Sequence, residues 1–166
     1  MLAYLATKKQ FLKDAPIIED LVREAVKVNL HFNVSENEYQ SWRNSLGNAM
    51  FHVMNSSRLP DDAGIAIEYR LNGRKFRLDF VISGMNNRNE ESICIVELKQ
   101  WSEILSSDLE EHVRTALGGG IQDVNHPSYQ VWSYQTHLEQ YNEYVYSNKV
   151  KVSSCVYLHN CKNDSV

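Results

Sequence analysis

The apolar residues change their spacing near residue 64, and that change constrains the fold more than any other feature of the chain. Ile65, Ile67, Tyr69 and Leu71 alternate with Ala66, Glu68 and Arg70; after Asn72-Gly73 the alternation resumes with Phe76, Leu78 and Phe80 set against Lys75, Arg77 and Asp79. Successive side chains of a strand point to opposite sides, so each run reads as a strand with one apolar face. Asn-Gly between two such runs is the strong signal for a two-residue hairpin turn, because both residues accept positive φ. Pairing Leu71 with Arg74 then sets Tyr69 opposite Phe76, Ile67 opposite Leu78 and Ile65 opposite Phe80. One hairpin face is core. The other, with Glu68, Arg77 and Asp79, is a polar shelf on which Glu68 and Asp79 are diagonal neighbours at ~7 to 8 Å between Cα atoms.

After a polar loop from Ser83 to Glu91, Ile93 to Lys99 reads as a third, mostly buried strand, with Cys94, Val96 and Leu98 on one face and Ile93, Ile95, Glu97 and Lys99 on the other. Ahead of the hairpin, Asp14-Ala15-Pro16 starts a helix whose apolar residues Ile17, Ile18, Leu21, Val22, Ala25 and Val28 recur at helical spacing to about Leu30. Ser35 with Glu38 three residues later has capping-box spacing and starts a second helix, with Tyr39, Trp42, Leu46, Met50 and Val53 inside, ending near Asn55. Trp101 to Ile121 reads either way: Leu109, Val113 and Leu117 suit a helix, Val113, Thr115 and Leu117 a strand, and Gly118-Gly119-Gly120 ends both. His126-Pro127 starts a further helix with Val131, Tyr134, Leu138, Tyr141 and Val145, and Lys149 to His159 is a final strand. The expected class is α/β, a mixed β-sheet flanked by helices, in one domain over residues 1–166. Its parts are N-terminal helices at 1–57, a three-stranded sheet at 64–99, a helix at 127–146 and a strand at 149–159.

A net charge of −4 and a pI near 5.9 argue against a protein that grips nucleic acid mainly by a positive field. They leave room for an enzyme that gathers carboxylates around a divalent cation, since those carboxylates add to the formal negative count. Cys94, Cys155 and Cys161 are odd in number and make no CxxC pair, which fits a reducing cytosol and not a zinc site. No stretch approaches the ~18 consecutive apolar residues of a membrane span, and the first residues lack a signal-peptide pattern. A cytoplasmic protein without membrane attachment is expected.

Hydrolysing a phosphodiester with a divalent cation needs hard oxygen ligands and a water activated beside the ion. Asp79 and Glu97 can supply the ligands if the third strand lies beside the second, and Lys99, two residues on and on the same face, can hold the attacking water. Glu97-Leu98-Lys99 is the chain's only acid-x-Lys triplet, and it ends a buried strand. Glu68 either completes the ligand set or pairs with Arg77 across the hairpin. The capping-box position already accounts for Glu38. Gln130 and Tyr134, four apart on a helix, share a face that can approach the site. Arg77, Lys75, Gln130 and His126 are candidates for contact with nucleic acid, although His126 before a helix-starting proline also suits a cap. The glycine run lacks the Lys-Ser/Thr that completes a phosphate-binding loop. No local motif supports a Ser-His-Asp or Cys-His mechanism.

Arg77-x-Asp79, Glu97-x-Lys99 and Gln130-x-x-x-Tyr134 together resemble the PD-(D/E)xK nuclease superfamily, with the glutamine and tyrosine similar to its RecB-like branch. Pro60-Asp61-Asp62-Ala63-Gly64, Glu97-Leu98-Lys99-Gln100-Trp101 and His126-Pro127-Ser128-Tyr129-Gln130 resemble the nuclease-like region that precedes a Schlafen-like helicase/ATPase module in bacterial proteins. The resemblance implies a restriction-endonuclease-like sheet and a Mg²⁺- or Mn²⁺-dependent cut of DNA or RNA, with Asp79 and Glu97 on the metal, Lys99 on the water and catalytic support from Gln130 and Tyr134. It also implies a helicase or ATPase partner and a role in defence against foreign nucleic acid; a homodimer is a further partner to test. Leu78 stands where the superfamily name expects proline, and the second helix lacks an acid in its middle, a gap Glu68 can fill. The chain stops before a helicase could begin, so it reads as a stand-alone nuclease or an isolated domain. The competing expectation is a catalytically silent nucleic-acid-binding or protein-docking module.

Overall fold

The computed structural model describes residues 2–30, 33–71 and 76–162. Five strands form a mixed sheet in the order β1 (Tyr4–Thr7), β2 (Gly64–Arg70), β3 (Arg77–Met85), β4 (Glu91–Lys99), β8 (Lys151–Leu158); the first three contacts are antiparallel and β4–β8 is parallel. Helices cover both faces, so the α/β class with a mixed, helix-flanked sheet is as expected. On one side lie α1 (Lys8–Asp14), α2 (Ile18–Leu30) and a continuous helical run made of α3 (Glu36–Trp42), a π-helical stretch (Arg43–Met50) and α4 (Phe51–Ser56). On the other lie α5 (Pro127–Tyr141) and α6 (Glu143–Asn148). No helix among the described residues is long and apolar enough to cross a membrane.

The first core joins Phe11, Ile18, Val22, Val26, Trp42, Leu46, Met50 and Met54 to Ile65, Ile67, Phe80 and Val96 of the sheet. In α2 the buried stripe is narrower than the sequence suggests. Ile18, Val22 and Val26, four apart, are buried, while Ile17, Leu21 and Val28 lie outside it and are exposed. The second core joins Leu78, Val81 and Ile95 to Val131, Leu138 and Val145. The last helix breaks one turn early, where Asn142 caps a new helix by accepting from Val145 N–H at 3.1 Å, and Tyr141 is left exposed.

The hairpin departs from expectation in two ways. Asn72-Gly73 and Lys75 lie outside the described residues, but the strands beside them pair Tyr69 with Leu78, Ile67 with Phe80 and Ile65 with Ile82, a register two residues longer than a two-residue turn allows. Alternation survives a two-residue slip unchanged, so the pattern alone does not distinguish the two registers. The second departure is a change of face. Ile65, Ile67 and Phe80 belong to the first core, whereas Tyr69, Phe76 and Leu78 pack on the second. The switch occurs at Glu68, whose φ of 54° turns the strand, and neither Glu68 nor the facing Asp79 enters the ladder. Hence there is no single apolar face and no uniform polar shelf.

Two segments go beyond the sequence expectation. The N-terminal residues form β1, paired Tyr4 to Ile67 and Thr7 to Gly64, and then α1, which Thr7 caps by accepting from Gln10 N–H at 3.2 Å. The ambiguous stretch is a separate three-stranded antiparallel sheet, β5 (Leu105–Ser106), β6 (His112–Leu117) and β7 (Gly120–Asn125), which removes the helical alternative. Val113 and Thr115 are its fully buried residues and Leu109 is exposed. Gly118 and Gly119, at φ 59° and 88°, make the β6–β7 turn, so the glycine run is a hairpin tip with β7 between it and α5.

Candidate active site

β3 and β4 pair from Met85↔Glu91 to Phe80↔Val96 and then part, while β4 stays paired with β8 through Lys99↔Leu158. Asp79 and Glu97 occupy the first position past the last β3–β4 pair. Parting two strands leaves backbone groups without ladder partners, and a buried one must be satisfied elsewhere. Asp79 does this by accepting from Leu98 N–H at 3.0 Å, which pins its side chain inside the fork.

Beside it the expected residues converge. Glu97 Oε1 accepts from Lys99 Nζ at 2.7 Å and from Gln130 Nε2 at 2.8 Å; Lys99 also donates to Gln130 Oε1 at 3.2 Å, and Gln130 donates to Tyr134 Oη at 2.8 Å. A helix places Gln130 and Tyr134 one turn apart on the side facing β4, which is why one amide can hold both ends of this chain. From the opposite side, Trp42 Nε1 donates to Glu68 Oε1 at 2.8 Å. Arg77 bridges the acids, with NH1 2.6 Å from Glu38 Oε1 and Nε 3.2 Å from Glu68 Oε2 and 3.9 Å from Asp79 Oδ1. Of the two readings of Glu68, the pairing with Arg77 is present, and the carboxylate also lines the same cavity as Asp79 and Glu97. Glu38 caps its helix through its backbone N–H to Ser35, yet its side chain turns to Arg77 and not back to the cap.

These residues line one cavity of about 600 Å³ that runs through the fork. Trp42, Ser41 and Ser45 also line it, and sequence reasoning missed them as site residues. Trp42 counted only as core; the four-residue spacing of Ser41 and Ser45 on the same helical run was the available signal. His126 does not line the cavity and instead caps α5, accepting from Ser128 N–H at 3.2 Å. Lys75 lies outside the described residues.

Burial dominates the electrostatics. Glu97 is pushed up to about 7 by burial and by the nearby Asp79 charge, against the pull of Lys99. Burial likewise raises Glu68 to about 7, against Arg77, and raises Asp79. Glu97 Oε2 is buried without a hydrogen-bond partner, and Glu68 Oε2 has only its ion pair with Arg77 Nε at 3.2 Å. An orphaned buried carboxylate oxygen is costly, and a hard cation is the partner that suits it. Among the described residues no three His, Cys, Asp or Glu side chains close into a metal cage. The donor set, two acids at the fork with a third nearby, fits instead an open site of the Mg²⁺ type, which takes one or two carboxylates and leaves positions for water and phosphate. Comparison of the chain with protein-family models, curated proteins and solved structures found no match.

Proposed function

We propose that the chain is a metal-dependent nuclease of the PD-(D/E)xK type, hydrolysing phosphodiester bonds of DNA or RNA with Mg²⁺ or Mn²⁺. The observation that carries this reading is the fork. Asp79 and Glu97 sit where β3 leaves β4, Glu97 keeps one buried oxygen without a partner, and Lys99 is held 2.7 Å from the other. Asp79 and Glu97 would hold the cation, with Glu68 as the third acid. When bound, the cation polarises the phosphoryl oxygen and lowers the pKa of water.

The chain's own groups supply the rest. Lys99 presents N–H donors at the mouth of the fork, suited to holding the attacking water and to offsetting charge on the phosphorane-like transition state. Gln130 fixes Lys99 and Glu97 relative to each other from a rigid helix, and Tyr134 fixes Gln130. Arg77, shared among three acids, keeps their mutual repulsion in check. Incubation with single- and double-stranded DNA and RNA in Mn²⁺ is expected to give cleavage that Lys99→Ala reduces by about 10²- to 10³-fold with an unchanged melting temperature. Cleavage that survives Lys99→Ala rejects the site.

A second reading, a catalytically silent binding or docking domain working with a helicase, is favoured by one feature. Arg77 and Lys99 already compensate the acids without a cation. It predicts nucleic-acid binding without turnover and no Mn²⁺ site dependent on Asp79 and Glu97.

A further inference from the structure

The cavity has a second wall that the metal reading leaves without a task. Its two cationic lining residues, Arg77 and Lys99, are each bonded to carboxylates, so neither is a free anchor for a phosphodiester backbone. Also lining the cavity, Ser41 is the last residue but one of α3 and Ser45 lies one turn on, within the π-helical stretch. π-Helical turns occur often at functional sites, because the extra residue redirects side chains.

Each hydroxyl has a polar partner outside its own helix. Gln100 Nε2 donates to Ser41 Oγ at 2.6 Å and to Ser41 O at 3.2 Å, and its Oε1 accepts from Asn44 Nδ2 at 3.2 Å, which fixes the amide orientation. His159 Nε2 stands 2.9 Å from Ser45 Oγ, and His159 N–H donates to Lys99 O at 3.2 Å. A hydroxyl has one proton and two acceptor sites. With Gln100 as donor, one acceptor site of Ser41 is filled and its own proton is free to donate; with the His159 ring proton on Nε2 the same holds for Ser45. The cavity that these serines line also holds the buried Glu97 Oε2, which has no hydrogen-bond partner, and Glu68, whose Oε2 is ion-paired with Arg77.

We infer that Ser41 and Ser45 form a neutral anchor for the phosphate oxygens of the nucleic-acid backbone, in the cavity that the acids also line, and that Gln100 and His159 are the positioning residues that aim them. This rests on the nuclease reading and names its substrate contacts. It also accounts for an acidic protein acting on a polyanion: the backbone is held by aimed hydroxyls and not by a field of lysines.

The test uses the full chain in a Lys99→Ala background, so that substrate is bound and not cut. The probes are fluorescein-labelled single- and double-stranded DNA and RNA oligonucleotides for anisotropy, and Mn²⁺ alone for calorimetry. Ser41→Ala with Ser45→Ala is expected to weaken oligonucleotide binding by roughly tenfold to a hundredfold, the loss of hydrogen bonds to a charged group, with Mn²⁺ affinity unchanged within about twofold. Threonine at both positions should restore part of the binding. His159→Ala should weaken binding no more than Ser45→Ala, and the two together no more than either, since one acts through the other. At fixed Mn²⁺, log K against log[salt] should have a slope no steeper than about −2, reflecting few phosphates neutralised by cations.

Oligonucleotide binding that is Mn²⁺-dependent but indifferent to both serine changes overturns this anchor while leaving the nuclease reading standing. A parallel fall in Mn²⁺ affinity, or additive His159 and Ser45 effects, overturns it as well. A protein that binds neither Mn²⁺ nor any oligonucleotide overturns both.

Discussion

The two ends of β4 have the same alternation and opposite fates. From Ser92 to Val96 the strand is paired on both sides, by β3 and by β8, and Ile95 is fully buried in the second core. From Glu97 to Lys99 it keeps only β8, and the side vacated by β3 opens to the cavity. The doubly paired half is held by ladders on both edges, and Ile95 and Val96 at its end are buried. The half at the fork holds a carboxylate raised toward neutrality, an oxygen with no partner and a backbone N–H satisfied by Asp79. The difference teaches that a polar cavity can be made by withholding one ladder from an otherwise regular strand. The polar residues then occupy the space that a third set of backbone bonds would fill.

Three measurements break or sharpen that contrast. The largest effect is expected in the paired half, where Ile95→Ala should cost about 2 to 5 kcal/mol of unfolding free energy by urea titration, because a fully buried side chain leaves a cavity between sheet and α5. A cost under ~1 kcal/mol would show that this half is not rigid core. At the fork, Asp79→Asn keeps an acceptor for Leu98 N–H and Asp79→Ala does not. The alanine variant should therefore be about 1 kcal/mol less stable than the asparagine variant, while both lose cleavage. Equal stability would deny Asp79 its structural role.

The third measurement is a pH dependence. Glu97 and Glu68 are raised in the folded, metal-free protein to about 7 from an ordinary 4.5, so the native state holds their protons more tightly than the unfolded chain does. Stability from this source is fully present below the unfolded value and is lost as pH rises through about 7. Metal-free protein should thus melt lower at pH 8 than at pH 5.5, Glu97→Gln should flatten the difference, and Mn²⁺ should raise the melting temperature most at pH 8. A melting temperature that climbs with pH in metal-free protein would contradict this account of the fork.

The division of β4 into its two faces was legible in advance because it needs only the two-residue period of a strand. Cys94, Val96 and Leu98 meet the first core and Ile93 and Ile95 the second, as alternation requires. The acids, the lysine and the glutamine-tyrosine pair were legible because each sits at a fixed local spacing. The hairpin register was not, since a slip of two residues preserves every alternation. Nor was the change of face at Glu68, because a positive φ at a non-glycine residue is imposed by its surroundings, here Trp42 and Arg77 holding the carboxylate. β1 is too short to show a period, and β7 is almost wholly exposed, so neither carries an apolar signal.

By itself, then, the sequence determined the element types of its longer segments, the two faces of the central strand and the residue types available at the candidate site, since all three follow from local spacing. Tertiary structure alone decided that β3 leaves β4 at Asp79, that Glu68 turns toward Trp42, and that Ser41 and Ser45 line the same cavity as the acids. Those outcomes depend on how helices from both layers compete for the space at one end of a sheet, and no local period encodes that competition.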